Sequence, residues 1–296
     1  MTVTYHVDYL KVSNKYPFGI ILFSQYLSTK YGWQLYVKRG QVHDYLVMDM
    51  DYATIGEVTI GMIKYLQKVE DEFTEPIIGT AKSPAGKHLF QVREYTDPQK
   101  QFLEETRAVQ FHHVVDQLLF VSSRARRNIQ KTISFLTSRV RKSDEDDWGK
   151  LVRCVKYLKV TKYTKLTLMV DTMSVIKWWV DVSHHTHMEC RGHTGAIMSL
   201  VKWAVVSYSG KHNLKTKIST ESELIFADDM LVKVLWSLYF IQAQGYSVTQ
   251  NIMYQDNMET MRLEINGSLS SSKLTKNIVT IYFFIKDTVD AGEIEI

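Results

Sequence analysis

The chain has 296 residues, 45% of them hydrophobic, so it can bury a sizeable core and is expected to form one to three globular domains. Its formal net charge of +4 tolerates a polyanionic partner without requiring one, and its two cysteines provide no disulfide framework. No signal-peptide pattern opens the sequence, and no uncharged apolar run approaches the ~20 residues of a membrane span. We therefore expect an intracellular protein, cytoplasmic or nuclear, that is not secreted and has no membrane partner.

Residues 1–75 form the first predicted region, which begins with an alternating, strand-like run that carries Asp8 in its middle. A helix then begins at Pro17, whose fixed φ angle suits the first helical turn. Gly56 marks a turn between two later strands. The predicted elements are a strand at 4–13, a helix at 17–33, strands at 41–52 and 57–60, and a helix at 62–73.

The second predicted region, residues 76–165, is a linker followed by helices. Three of the chain's four prolines lie between residues 74 and 105. Because proline interrupts the interior of a helix, this stretch is predicted to be the linker. The acids at 144–147 would cap the last helix and complement its dipole. Helices are predicted at 111–120, at 128–140 and from 148 onward.

Positive charge is concentrated in this helical region. Between residues 124 and 165 there are 13 lysine or arginine residues against four acids. Such residues either contact the phosphates of a nucleic acid or cover the solvent side of amphipathic helices, and both interpretations stay open. The candidate contacts in this region are Arg124, Arg126, Arg127, Lys150 and Arg153.

The third predicted region, residues 166–296, is a mixture of strands and helices. In the strand at 174–182, Ile176, Trp178, Val180 and Val182 share one face, which indicates burial of that face. Further strands are predicted at 166–170, 195–201, 204–209 and 248–254, helices at 219–244 and 258–265, a helical pattern up to 287, and the start of a strand at 292–296.

Three acids of this region lie where strands end or a helix begins. Asp181 is near the end of a strand, Glu221 lies one turn before the buried Leu224 of the long helix, and Asp256 follows a strand. Carboxylates on a rigid frame can hold divalent cations roughly 4 Å apart for phosphodiester hydrolysis. For any one acid alone a cap is the favoured interpretation, but the three together in this order favour a metal site.

The histidines that follow the first of these acids offer a second metal-binding possibility. His184, His185, His187 and His193 lie close to Cys190. Their spacing matches no paired zinc-ligand pattern, so we expect a solvated loop rather than a zinc site.

Five short motifs resemble, in order and spacing, the ribonuclease H domain of copia-type LTR retrotransposon polyproteins. Upstream, residues 4–13 resemble the reverse transcriptase strand-turn-strand that carries two adjacent aspartates, although here Asp8 is followed by Tyr9, and residues 42–52 resemble the primer-grip hairpin, with Val47 where glycine is usual. The five motifs lie at residues 178–181, 191–196, 219–224, 254–257 and 282–287.

The resemblance implies an α/β fold: a ribonuclease H-like mixed sheet with flanking helices, preceded by a partial reverse transcriptase palm and thumb and a helical connection. The palm remnant with its primer-grip-like hairpin would be residues 1–75, the linker and helical thumb or connection 76–165, and the ribonuclease H-like domain 166–296. We expect that last domain to be truncated at its carboxy terminus, before a fourth metal-binding aspartate.

The resemblance also implies functional residues. Asp181, Glu221 and Asp256 would be the catalytic acids and would bind Mg²⁺ or Mn²⁺, while Asp8 would be a remnant of the polymerase site. Lys273 and Lys276 would join the basic residues named above on the face that binds an RNA/DNA hybrid or another nucleic acid. The rest of the polyprotein would be absent, and polymerase activity with it.

Three hypotheses follow for the function. The first is a two-metal ribonuclease H-like fragment that acts on the RNA strand of hybrids, with activity weakened or lost. The second is a nucleic-acid-binding module without catalysis. The third is a translated remnant with no function.

Overall fold

The computed structural model describes residues 1–7, 9–14, 16–32, 34–188, 190–200, 204–212, 215–216, 219–266 and 279–296, with 279–283 described by their backbone alone. Asp8, Lys273 and Lys276, three of the predicted functional residues, lie outside these ranges. The described strands fall into three sheets, and the buried apolar residues form two separate hydrophobic cores.

The first sheet is a two-stranded antiparallel hairpin of β1 (Thr2–His6) and β2 (Tyr9–Ser13). Helix α1 (Pro17–Tyr31) follows, with proline at its start as predicted. It ends at Gly32, whose φ of 64° is left-handed and whose N–H donates to the Ser28 carbonyl. None of the residues of α1 is buried, so this part of the chain contributes little to either core.

The second sheet has the order β3 (Val42–Tyr45), β4 (Met48–Asp51), β5 (Glu57–Gly61) and β6 (Leu166–Met169), antiparallel throughout. The single strand predicted at 41–52 is therefore two strands. They are joined by Leu46 and Val47, which both have positive φ angles (49° and 60°). Two positive φ angles in a two-residue loop match the right-handed twist of a hairpin.

Four α-helices follow in the first half of the molecule: α2 (Ile63–Asp71), α3 (Glu105–Arg124), α4 (Gln130–Thr137) and α5 (Glu145–Thr161), with a 3₁₀ turn at Arg127–Ile129 before α4. The predicted acidic cap of α5 is confirmed, because the Asp147 N–H donates to Asp144 Oδ1 (3.0 Å) and the Asp144 N–H donates to Asp147 Oδ2 (3.3 Å). Residues 72–104 form neither helix nor strand, as the prolines predicted.

The structure divides the chain differently from the sequence prediction. The first core contains buried residues from both the first and second predicted regions, among them Ile60, Leu89 and Leu118, so those regions share one core. Strand β6, predicted to open the third region, pairs instead with β5 and packs Leu166 and Leu168 on the first core. The second core is formed by later residues, from Ile176 to Ile294.

The third sheet has the order β10 (Gln250–Tyr254), β7 (Val175–Ser183), β8 (His193–Ser199) and β9 (Ala204–Lys211). Strands β7, β8 and β9 are antiparallel neighbours, and β10 runs parallel to β7. The predicted apolar face of β7 is confirmed, because Ile176, Trp178, Val180 and Val182 are all buried. A parallel bridge between Ile252 and Glu295 places residues near the end of the chain beside β10.

Three helices belong to the third sheet: α6 (Ser219–Ala243), α7 (Met258–Asn266) and α8 (Val279–Asp290). Helix α6 packs on β7 through the stripe that contains Leu224, Ala227 and Leu231. It also contacts α7 and α8, so the three helices pack together.

The two halves meet where the 3₁₀ turn and α4 cover strand β9. The Arg127 guanidinium donates to the Ala204 carbonyl (3.0 Å) and to that of Val205, and the Gln130 side chain exchanges hydrogen bonds with Ser207 (2.7 and 3.1 Å). Strand β9 lies at one edge of its sheet, and these contacts occupy edge groups that would otherwise face solvent.

Val47 provides a test of the β3–β4 turn. A β-branched residue at positive φ is strained by about 1–2 kcal/mol, and glycine relieves that strain. We expect Val47→Gly to raise the thermal midpoint by about 2 °C, measured by circular dichroism. Val42→Gly, in the adjoining strand, is the control and should lower it. A lower midpoint for Val47→Gly would contradict the turn geometry.

Candidate metal centre

Two acids come together because β7 and β10 are parallel neighbours. Trp179 pairs with Tyr254 in this register. Asp181 lies two residues beyond Trp179, and Asp256 lies two residues beyond Tyr254. Two residues is the repeat of a strand, so each carboxylate is expected on the same face as the residue two before it, and the register places the two acids side by side.

Glu223 on α6 completes this acidic group. One carboxylate oxygen from each of Asp181, Glu223 and Asp256 can be chosen so that all three lie within 4.8 Å of one another. Asp181 and Asp256 are exposed, whereas Glu223 is only 4% exposed. We call these three residues the acidic trio. Oxygen atoms at this separation can share a hard divalent cation.

The sequence predicted Glu221 as the glutamate of the site. The structure brings Glu223 together with Asp181 and Asp256. Successive helical residues are about 100° apart, so residues two apart point to nearly opposite sides of α6. Glu223 lies four residues before Ala227, on the buried side that packs on β7, while Glu221 is only half-buried. The charge of Glu221 acts instead on His184. The spacing to Ala227 was the signal that could have identified Glu223.

Asp256 is not the cap of helix α7. The Asn257 Oδ1 atom accepts hydrogen bonds from the N–H groups of Glu259 (3.0 Å) and Thr260 (3.1 Å), which is the usual capping arrangement. The Gln255 side-chain oxygen accepts from the Asp256 N–H (2.9 Å) and so fixes the backbone there. The helix-cap alternative for Asp256 is therefore wrong.

The acidic trio has an excess of negative charge. Burial, together with the neighbouring charges of Asp256 and Asp181, raises the pKa of Glu223 to about 7. Glu223 Oε2 is buried and has no hydrogen-bond partner among the described residues. A buried polar atom without a partner is costly, and a divalent cation would satisfy it. The all-oxygen donor set suits Mg²⁺ or Mn²⁺.

Two of the predicted nucleic-acid contacts, Arg126 and Arg127, make hydrogen bonds within the protein. Arg126 is only 2% exposed and donates to the carbonyl (2.7 Å) and hydroxyl (2.6 Å) oxygens of Thr161. Arg127 donates to strand β9, and burial lowers its pKa. These guanidinium groups donate to protein oxygens, and their contact with nucleic acid stays a prediction.

The other three predicted nucleic-acid contacts that the structure describes, Lys150, Arg153 and Arg124, also have protein partners. Lys150 donates to the Gln91 carbonyl (2.6 Å), and Arg153 donates to the Ser83 hydroxyl (3.1 Å). The Arg124 guanidinium lies over the Phe120 ring, 3.7 Å from its centroid. Arg153 is exposed and keeps a solvent-facing position, but Lys150 and Arg124 are partly covered.

The sequence predicts a solvated histidine loop, but the structure buries two of its histidines. His187 and His193 are each 5% exposed and hydrogen-bonded to each other (Nε2 to Nδ1, 3.1 Å). His193 also bonds the Ser209 hydroxyl (2.8 Å). The rings of Phe90 and Phe135, both from the first half of the molecule, pack against the pair. These aromatic rings exclude water, so the pair is a contact between the two halves.

In the part of the chain that the structure describes, no helix combines the length and the apolar character needed to cross a membrane. No family model matches the sequence. Over 200 residues the chain is 24% identical to a Saccharomyces cerevisiae protein named after transposon Ty5-1, an alignment that covers 66% of this chain and 62% of that protein. The aligned part thus spans less than two thirds of that relative.

A solved structure gives the second comparison. The chain superposes on a foamy viral protease-reverse transcriptase, solved in complex with an RNA/DNA hybrid, with a TM-score of 0.53 and 11% identity. The match covers 99% of this chain and 35% of the viral one. The sequence comparison supports a transposon-related chain, and the structural comparison shows a shared fold.

The choice between the two glutamates can be tested by cation binding. We expect Asp181→Asn and Glu223→Gln each to weaken Mn²⁺ binding at least about 10-fold, because each removes a charged ligand, whereas Glu221→Gln leaves the affinity nearly unchanged. Isothermal titration calorimetry measures the affinity. A greater loss for Glu221→Gln than for Glu223→Gln would contradict the assignment.

The buried histidine pair predicts loss of stability in acid. Burial, together with the charges of His187, Lys131 and His212, lowers the pKa of His193 to about 4. The unfolded chain takes up this proton near pH 6.5, so the free energy of unfolding should fall by up to about 3 kcal/mol as the pH drops from about 6.5 to about 4.

Urea unfolding at several pH values measures this effect. His193→Gln should flatten the dependence between pH 6.5 and 4, while His6→Gln, at an exposed position, should leave it as in the original chain. An equally steep fall for His193→Gln would show that other groups cause it.

Proposed function

We propose that this chain is part of a copia-type retrotransposon polyprotein, and that its third sheet carries a ribonuclease H-like site that cleaves the RNA strand of RNA/DNA hybrids. The observation that carries the proposal is the acidic trio, in which oxygens of Asp181, Glu223 and Asp256 lie within 4.8 Å of one another. Phosphodiester hydrolysis by divalent cations needs such a group of carboxylates on a rigid frame.

The topology around the trio supports the same proposal. Three antiparallel strands, β7 to β9, are followed by a parallel strand, β10, and residues near the chain end bridge to β10 on its other side. That order suits the ribonuclease H-like mixed sheet, with acids at the ends of the two parallel neighbours. The hybrid bound in the viral neighbour is consistent with this substrate class.

A bound divalent cation would supply Lewis-acid activation of water and would stabilise the leaving oxygen. The chain's own residues contribute the frame. Pairing of β7 with β10 fixes Asp181 beside Asp256, and Gln255 and Asn257 hold the backbone on either side of Asp256. Helix α6 presents Glu223 from the buried side. A rigid frame keeps the carboxylates in place without reorganisation during the reaction.

The proposal is tested with the full chain, a labelled RNA/DNA hybrid and Mg²⁺ or Mn²⁺. We expect cleavage of the RNA strand, and a loss of at least about 100-fold in Asp181→Asn, because stabilisation by the cation is worth several kcal/mol. Asp290→Asn, which alters an exposed ion pair with Lys286, is the control and should cleave normally.

Binding to the same hybrid is measured beside cleavage at several salt concentrations, because phosphate contacts weaken as salt rises. Salt-dependent binding without cleavage would contradict the nuclease hypothesis and favour the second hypothesis, a nucleic-acid-binding module without catalysis. If the chain neither cleaves nor binds the hybrid at low salt, the result favours the third hypothesis, a translated remnant without function.

A further inference from the structure

A cavity of about 520 Å³ lies between the two halves of the molecule. One wall is formed by the second sheet and the turn between β4 and β5, and the other by the third sheet and α6. Small-molecule sites in proteins are commonly apolar cavities of roughly 300–1,000 Å³, and many lie between domains. The size and position of this cavity therefore suit a small ligand.

The two hydrophobic cores leave this space unfilled. Val58 and Leu168 pack at the margin of the first core, and Met173, Val205 and Val206 pack at the margin of the second. All five side chains line the cavity and are only partly buried. An apolar group placed between them would remove both margins from water and restore dispersion contacts that the gap forfeits.

Exposed apolar side chains also line the cavity from both sides. Ile55, in the turn between β4 and β5, is 100% exposed, and Trp236 on α6 is 62% exposed. The rings of Trp236 and Phe240 are stacked, with centroids 4.9 Å apart and planes 11° apart. Clustered apolar groups of this kind on a surface commonly mark a binding site, and the paired rings present a broad aromatic wall to a ligand.

Glu57 determines which charge the ligand would carry. Among the described residues that line the cavity, Glu57 is the one with a formal charge. Lys11 Nζ lies over the ring of Tyr52, another lining residue, 5.4 Å from its centroid, and forms no ion pair with Glu57. A carboxylate beside an apolar cavity attracts a ligand with a positive charge and repels an anionic one. The aromatic wall adds to this preference, because the faces of tryptophan and phenylalanine rings attract cations.

We propose that this cavity binds a small amphiphilic amine, whose apolar body fills the space between the two cores and whose ammonium group pairs with Glu57. The cavity shares no lining residue with the acidic trio, so this site is independent of the proposed nuclease. A ligand held there contacts both halves of the molecule and stabilises the folded chain by mass action.

Three probes of similar size test the proposal on the full chain: phenylhexylamine, phenylhexanol and phenylhexanoate, each with the phenyl ring at the end of the alkyl chain. Ligand-observed NMR titration measures the three affinities. We expect the amine to bind about 10-fold more tightly than the alcohol, because it alone pairs with the carboxylate, and the anionic probe to bind most weakly. Equal affinity for all three probes, or no binding of the amine, would overturn the proposal.

Substitution of Glu57 tests the ion pair. Glu57→Gln should make the amine and the alcohol bind equally and leave the affinity for the alcohol as in the original chain. Glu94→Gln removes an exposed acid outside the cavity, so it is the matched control and should keep the preference for the amine. A preference that survives Glu57→Gln would overturn the assigned pairing.

Substitution of Trp236 tests whether the probes occupy the cavity. Trp236→Ala removes part of the aromatic wall at an exposed position, so the affinities for the amine and the alcohol should both fall at least about 5-fold. Val232→Ala, one turn earlier on the exposed side of α6 and outside the cavity, is the control and should change neither affinity. Unchanged affinities in Trp236→Ala would place the probes elsewhere and overturn the proposal.

Discussion

The parallel pairing of β10 with β7 is the constraint on which the candidate site depends. The two strands are separated by more than sixty residues of sequence, and their register alone brings Asp181 beside Asp256. A shift of one residue would turn the Asp256 side chain to the opposite face of the sheet. The buried faces of β7 and β10, with Trp178 and Met253 fully covered, oppose such a shift because it would expose them.

The two halves of the molecule differ in whether their buried charged side chains have partners. In the helical half, arginines and acids compensate one another or donate to carbonyls: Arg139 pairs with Asp147 (2.9 Å), and Arg126 is satisfied by Thr161. In the other half, both carboxyl oxygens of Glu264 and the Oε2 atom of Glu223 are buried without a hydrogen-bond partner among the described residues. Some of the basic residues concentrated in the sequence, such as Arg126 and Arg139, thus pair within the protein, while negative charge collects at the acidic trio.

The sequence could predict features that depend on local pattern. The alternation of β7, the proline start of α1 and the acidic cap of α5 are each encoded within a few residues, and each is confirmed. The relationship to transposon proteins, predicted from short motifs, is supported by the comparison with the yeast protein. Asp181 and Asp256 could be chosen because both lie near strand ends.

Features that depend on tertiary packing could not be predicted in this way. Glu221 and Glu223 belong to one motif, and each lies about one helical turn before a buried residue of α6, Leu224 or Ala227. The spacing to Ala227 points to Glu223 but leaves Glu221 open, and the packing of α6 on β7 turns Glu223 toward the acids. The burial of Arg126 and of the His187–His193 pair depends on residues 35 and more positions away, such as Thr161 and Phe90. Strand β6 likewise pairs with a strand more than a hundred residues earlier.

The burial of Glu223 and Glu264 also bears on whether the acidic site has kept a function. The oxygens of Glu223 and Glu264 that are buried without partners among the described residues cost stability, and glutamine or an apolar residue at either position would relieve that cost. Proteins keep such locally unfavourable groups mainly where binding or catalysis requires them. Tyr9 and Val47 depart from the reverse transcriptase pattern in the first region, whereas the geometry of the trio is intact. In the proposed function, a cation bound at the third sheet would offset the unfavourable burial of these acids.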